Sequence, residues 1–282
     1  MNSSSDSPRL GRRSWRAVIA CAALASAAPA GAHDTWFALR AVQPAGDIVM
    51  ALGTGNQFPQ HESAISPAYL RQHGCRQGGR MLALDAVTLT TTALVVRTKA
   101  AAGIAVTCWA QLTPFEIEID ADKVAIYLDE INASAALRQT WAAMQARGVR
   151  WKERYVKHAR IEIAGSGLGV PADTAGAPAL PVPMGMDVVL RDGPLRMRTG
   201  DTLSFQVLRD GAPLAGFALE LRSAGQAPAR WLASDADGRV SFNAPDAGRW
   251  VLRGTDLRLS NTLPDGWDSA FVTLAFEVAA PR

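Results

Sequence analysis

No lysine follows Lys157 anywhere in the chain, so the Lys–Asn or Lys–Asp isopeptide staple of some bacterial surface sandwiches is excluded from the second half. The catalytic signatures that can be read locally are missing too. There is no Gly-x-Ser-x-Gly elbow, no Walker loop, no Gly-x-Gly-x-x-Gly after a strand and no His-Glu-x-x-His. The expectation is a protein that is not an enzyme. Cysteine is scarce, at three residues. Cys21 falls in an apolar leader, which leaves Cys75 and Cys108 to form one disulfide if the chain is exported. Beyond the leader no apolar run approaches the roughly 20 residues that span a bilayer, so no transmembrane segment is expected in the mature protein. Charge of one sign is also lacking. Removing Arg9, Arg12, Arg13, Arg16 and Asp6 from 29 basic and 26 acidic residues leaves the two signs equal. A neutral mature chain offers no electrostatic basis for binding nucleic acid or an anionic membrane.

What is present begins with that leader. The four arginines precede the apolar run Ala17–Ala28, and small residues ending in Ala30-Gly31-Ala32 follow. This is the order of a secretory signal, residues 1–32, and it predicts a periplasmic protein. Gly11-Arg12-Arg13-Ser14-Trp15-Arg16 is similar to the twin-arginine export motif. Cleavage after Ala32 makes His33 the mature amino terminus, with an α-amine and an imidazole on one residue, placed to chelate one metal ion. Cleavage after Ala30 leaves Gly31-Ala32-His33, in which the third-position histidine binds Cu²⁺ or Ni²⁺ in a square plane. Both cuts stand, beside the plainer reading that His33 merely follows the signal.

The mature chain reads as mainly β: two Ig-like β-sandwich domains, with a small helical insertion in the first. Residues 33–164 form the N-terminal domain, 165–184 a Gly-, Pro- and Ala-rich linker, and 185–282 the C-terminal sandwich. Strands are expected at Asp34–Leu39, Asp47–Leu52, Val87–Arg97, Ile104–Leu112, Phe115–Ile119 and Lys123–Leu128. A helix over 134–147 follows from Leu137, Trp141 and Met144 at helical spacing, with Ser134 as cap and Gly148 past the end. Arg150–His158 reads as a second short helix or an extended arm before a strand at Ala159–Ala164. After Met186, short strands are separated by Asp192-Gly193, Asp210-Gly211 and Asp237-Gly238 turns.

These residues resemble a known family. His33-Asp34-Thr35-Trp36-Phe37, the segment Glu153-Arg154-Tyr155-Val156-Lys157-His158-Ala159-Arg160 and the run from Gly200-Asp201 to Gly238-Arg239 are similar to the bacterial domain-of-unknown-function family 4198. The resemblance implies a periplasmic protein whose second domain is transthyretin-like or carboxypeptidase-regulatory-like. It also implies an association with nickel or cobalt uptake, and so a metal transporter or outer-membrane receptor component as partner. This chain departs from the pattern at Thr255-Asp256-Leu257-Arg258, where relatives often carry a histidine.

The candidate metal ligands are therefore His33 and His158, for Ni, Co or Cu, since imidazole suits late first-row ions. His61 and His73 lie in loop-like sequence and read as solvated. Met184 and Met186 read as core or linker rather than thioether ligands. Three functions are carried forward: a metal-binding accessory protein, an envelope protein-interaction module in which His33 is incidental, and, remotely, a copper-dependent enzyme.

Overall fold

A computed structural model describes residues 33–43, 46–101, 103–165, 179–192, 197–225 and 228–281. The signal with both cleavage sites, Cys21, and residues 166–178 of the expected linker lie outside the described residues.

The first half contains β1 (Asp34–Val42), β2 (Asp47–Gly55), β3 (Ser63–Ala64), β4 (Leu70–Gln77), β5 (Arg80–Leu82), β6 (Asp85–Leu89), β7 (Leu94–Lys99), β8 (Val106–Leu112) and β9 (Phe115–Ile119). Two helices follow, α1 (Ala121–Glu130) and α2 (Ala135–Ala146), and then the long strand β10 (Trp151–Ile163). The second half contains β11 (Met186–Asp192), β12 (Thr202–Arg209), β13 (Ala212–Pro213), β14 (Ala218–Ser223), β15 (Arg230–Ala233), β16 (Arg239–Asn243), β17 (Gly248–Leu259) and β18 (Trp267–Val278). The protein is mainly β, as the composition and turn spacing predict.

The strands form three sheets. One has the order β1-β2-β7-β6 with β3 beside β2, and another has β11-β12-β13 with β16 also on β12. Between them lies a nine-stranded sheet, β15-β14-β17-β18-β10-β8-β4-β5, with β9 continuing along the β8 edge of β10. Val272, Leu274, Phe276 and Val278 of β18 enter the core shared with β11 and β12, whereas Ala275 enters the core shared with β1, β2 and β7. Successive side chains of a strand point to opposite faces, so β18 serves two sandwiches at once.

This corrects the expected domain organisation. The two cores are separate, but the boundary at 165–184 does not divide the sheet. β10 pairs in parallel with β18, from Glu153↔Trp267 to Ile161↔Ala275. The described end of the linker is no free connector either. Ala179, Val182 and Met184 are buried, and Val182 and Met184 pack on Trp109 of β8. Arg76 donates to the carbonyls of Leu180 and Pro181, so the segment straps the outer face of the central sheet. Met184 and Met186 are both core residues, Met186 fully enclosed in the second sandwich.

Local corrections have local causes. Lys123–Leu128 belongs to helix α1, not to a strand, because Val124, Tyr127 and Leu128 fall on one helical face and bury together. Val87–Arg97 is the hairpin β6–β7, turned where Thr90 Oγ1 and the Ala93 backbone exchange hydrogen bonds. Helix α2 matches its prediction, with Ser134 Oγ accepting from Leu137 N at 3.3 Å and Gly148 at φ +76° beyond the end. Asp210 and Gly211, at φ +50° and +79°, make the two-residue hairpin that Asp-Gly favours. Arg150–His158 is neither helix nor arm, since β10 runs unbroken from Trp151. The Cys75–Cys108 disulfide forms as expected between directly opposed residues of β4 and β8.

Candidate functional site

Strand β1 begins at Asp34, and its register with β2 pairs Asp34 with Gly55. That register sets His33 beside Asn56, whose Nδ2 lies 3.1 Å from His33 Nε2. Asn56 is held in turn by Glu62, through its backbone N at 3.2 Å and its side-chain amide at 3.3 Å. From the central sheet, Lys157 Nζ donates to the His33 carbonyl at 2.6 Å. Both ends of the residue are therefore fixed.

The next residues fasten β1 to the second half of the chain. The Asp34 carboxylate pairs with Arg253, which also donates to Glu220 from Nε at 2.6 Å. Thr35 Oγ1 meets Thr54 Oγ1 at 2.8 Å, and Thr273 Oγ1 donates to the Thr35 carbonyl at 2.6 Å. Trp36 stacks on His61 with ring centroids 5.4 Å apart. His61 Nε2 lies 3.1 Å from the Trp36 carbonyl. A carbonyl only accepts, so Nε2 carries the proton. Burial pushes His61 down to about 4, so it is a packed, neutral ring and not the solvated residue expected. His73 is exposed on β4, as expected.

His33 lines a cavity of about 530 Å³ whose wall includes Tyr69, Phe115, Tyr155, Lys157, Glu153 and Phe271. Lys157 sits 5.5 Å from the Tyr155 ring centroid and 6.0 Å from that of Phe271. Burial pushes its ammonium down to about 8, against the opposing pull of Asp34. Deeper in, the buried Glu153 carboxylate accepts from Tyr127 Oη at 2.8 Å, Trp151 Nε1 at 2.9 Å and Ser269 Oγ. Burial raises its pKa, and those three donors oppose the rise. Glu153, Tyr155 and Lys157 come together because they alternate along one face of β10.

His158 alternates to the other face, and this corrects its pairing with His33. Its Nδ1 donates to the Phe271 carbonyl at 2.9 Å, so Nε2 is the acceptor. Nε2 faces Gly185, where even an added Cβ would come within 3.3 Å. Burial pushes the ring down to about 4. Lys157, not His158, is the neighbour that β10 gives to His33. Among the described residues no three His, Cys, Asp or Glu side chains group to hold a metal ion. Of the two histidines expected to ligate, His33 lines the cavity, with Asn56 on its ring, and His158 does not.

On the same outer face Arg160 is fully enclosed. It donates to Glu162 Oε1 from Nε at 2.8 Å and from Nη2 at 2.6 Å, and to both oxygens of Asp187 at 3.0 and 2.8 Å. Glu162 also accepts from Thr107, and Asp187 from the backbone of Val182. In sequence Arg160 reads as one more charge in a basic stretch.

Taken together, this is a two-core β protein whose first strand opens at a cavity on a shared central sheet. The chain belongs to the family described as Domain of unknown function (DUF4198), whose model matches residues 30–255. No curated protein matches it. Among solved structures it is similar to the D0-D1 domain of intimin, at 9% identity over 87% of this chain and 97% of that one, with a TM-score of 0.21. Chicken CNTN1 FN1-FN3 domains match at 10% identity over 88% and 68%, with a TM-score of 0.20.

Proposed function

We propose that this is an exported, periplasmic binding protein that holds a divalent transition ion, Ni²⁺, Co²⁺ or Cu²⁺, at the processed amino terminus of His33. The observation that carries the reading is the double anchoring of His33 at the mouth of the cavity, by Asn56 on its ring and Lys157 on its carbonyl. An amino-terminal histidine chelates through its amine and Nδ1. The contact to Asn56 is made by Nε2 and leaves Nδ1 for that chelate. With a metal on Nδ1 the proton resides on Nε2, so the Asn56 amide gives up this contact or turns its oxygen to the ring at the expense of its bond to Glu62. The disulfide suits an oxidising compartment. The role is binding rather than catalysis, and its partner is a metal transporter or outer-membrane receptor component.

Intact mass of the protein recovered from the periplasm locates the cut. Titration with Cu²⁺ and Ni²⁺ then compares the processed form with one carrying an extra Met before His33. The extended form and His33→Ala should each bind at least about 100-fold more weakly, since outer-shell changes alone cost 10–100-fold. Equal affinities would leave the interaction-module reading. His158→Ala should leave metal binding unchanged.

A further inference from the structure

The cavity beside His33 is far larger than a bare ion, and its charges are unevenly satisfied. Glu118, at its outer end, pairs with Arg150 at 2.8 Å, and Lys123 pairs with Asp120 at 2.9 Å. Glu153 takes three donors. Lys157 differs. Among the described residues its one hydrogen bond goes to the neutral His33 carbonyl, and Asp34, the carboxylate beside it, is engaged by Arg253. A half-buried ammonium with no direct ion pair is costly, and an anion arriving from solution relieves that cost.

The wall around Lys157 is aromatic. Phe115 stacks on Tyr155 at 5.5 Å and 21°, Tyr69 meets Phe115 edge-on at 5.0 Å, and Phe271 meets Tyr155 edge-on at 5.9 Å. A volume of about 530 Å³ lies within the range of small-molecule sites, which are mostly apolar with a few placed polar groups.

We propose that this cavity binds a small organic carboxylate with a flat apolar body, the carboxylate on Lys157 and the body along the Tyr69–Phe115–Tyr155 wall. The site does not rest on the metal reading, because it uses Lys157 and the aromatic rings and none of the donors of His33. Processing after Ala32 would add the α-ammonium at the same end of the cavity and so a second group of the required sign.

The test is calorimetric titration of the processed protein, in EDTA, with benzoate, indole-3-acetate and 4-phenylbutyrate, each beside its neutral amide. At least one acid should bind one per chain and at least about tenfold more tightly than its amide, since a charge-assisted hydrogen bond distinguishes them. Lys157→Gln should remove that preference and leave amide binding within about twofold. Because Lys157 also holds the His33 carbonyl, the variant's fold is checked by circular dichroism, and the acid–amide comparison on the unaltered protein decides if it fails. Absence of binding by every acid at about 10 mM, or equal affinity of acid and amide, overturns the proposal. So does binding that appears only after Ni²⁺ or Cu²⁺ is added, which would make the carboxylate a metal ligand. Metal binding without carboxylate binding would leave the His33 reading standing and this one refuted.

Discussion

The two faces of β10 are built from one stretch of sequence and have opposite fates. On the outer face, His158, Arg160 and Glu162 are sealed under the 179–185 strap, and each charge is answered inside the protein. On the inner face, Glu153, Tyr155 and Lys157 open on a cavity, and Lys157 is left without a carboxylate of its own. Both faces bury polar groups at a cost, but only the first completes their pairing from within. A buried polar network that closes on itself serves architecture, and one left open by a single member points to something from outside. The half-buried cation, rather than the conspicuous histidine pair, is what distinguishes the inner face.

The sharpest way to break that contrast is to remove one partner on each face. Asp187→Ala strands half of a buried guanidinium and should cost about 3–5 kcal/mol, measured by urea unfolding. Lys157→Met removes a half-buried charge with no ion pair to lose and should change stability by about 1 kcal/mol or less. Comparable losses in the two variants would erase the distinction drawn between the faces.

Next in size is the link between β4 and β8, which carry the strap. Replacing Cys75 and Cys108 by serine opens a loop with a sequence separation of 33 residues. The chain-entropy model puts the loss at about 3–4 kcal/mol. A melting temperature unchanged by reduction would show that the sheet needs no such staple.

Acid should probe the outer face through His158. Unfolded, its ring takes a proton near 6.5, and folded only near 4. Its contribution to stability is therefore complete above pH 6.5 and is lost as pH falls toward 4. That difference corresponds to about 3 kcal/mol at most. His61, pushed down to the same value by burial, should contribute over the same window. His158→Asn, which keeps a donor for the Phe271 carbonyl, should flatten the fall in unfolding free energy between pH 6.5 and 4. An identical slope in wild type and variant would assign the acid sensitivity elsewhere.

Much of this fold is legible in the sequence wherever the signal is local. The Asp210-Gly211 turn joins β12 to β13, Ser134 and Gly148 bracket α2, and Cys75 pairs with Cys108, whereas Asp192-Gly193 runs outside the described residues. What escapes is set by distant partners. Trp151, Tyr155, Ala159, Ile161 and Ile163 fall on one face of a long strand, but Glu153 and Lys157 interrupt their alternation. The charged residues between them mask it, because Arg160 and Glu162 read as surface unless Asp187 is known to meet them. The parallel pairing of β10 with β18 leaves no mark in either segment alone, and so the shared sheet is invisible. Of the site, His33 can be found from the cleavage pattern and Lys157 from the family segment. Asn56 cannot, because only the β1–β2 register brings it to His33.

The anchoring of β1 has a consequence for the order of events during synthesis and folding. Asp34 and Thr35 are secured by Arg253 and Thr273, which follow them by 219 and 238 positions. The first residues to emerge thus wait for nearly the last before they have a fixed place. Contacts this distant in sequence form slowly. The cavity that β1 borders therefore closes only when β17 and β18 are in place.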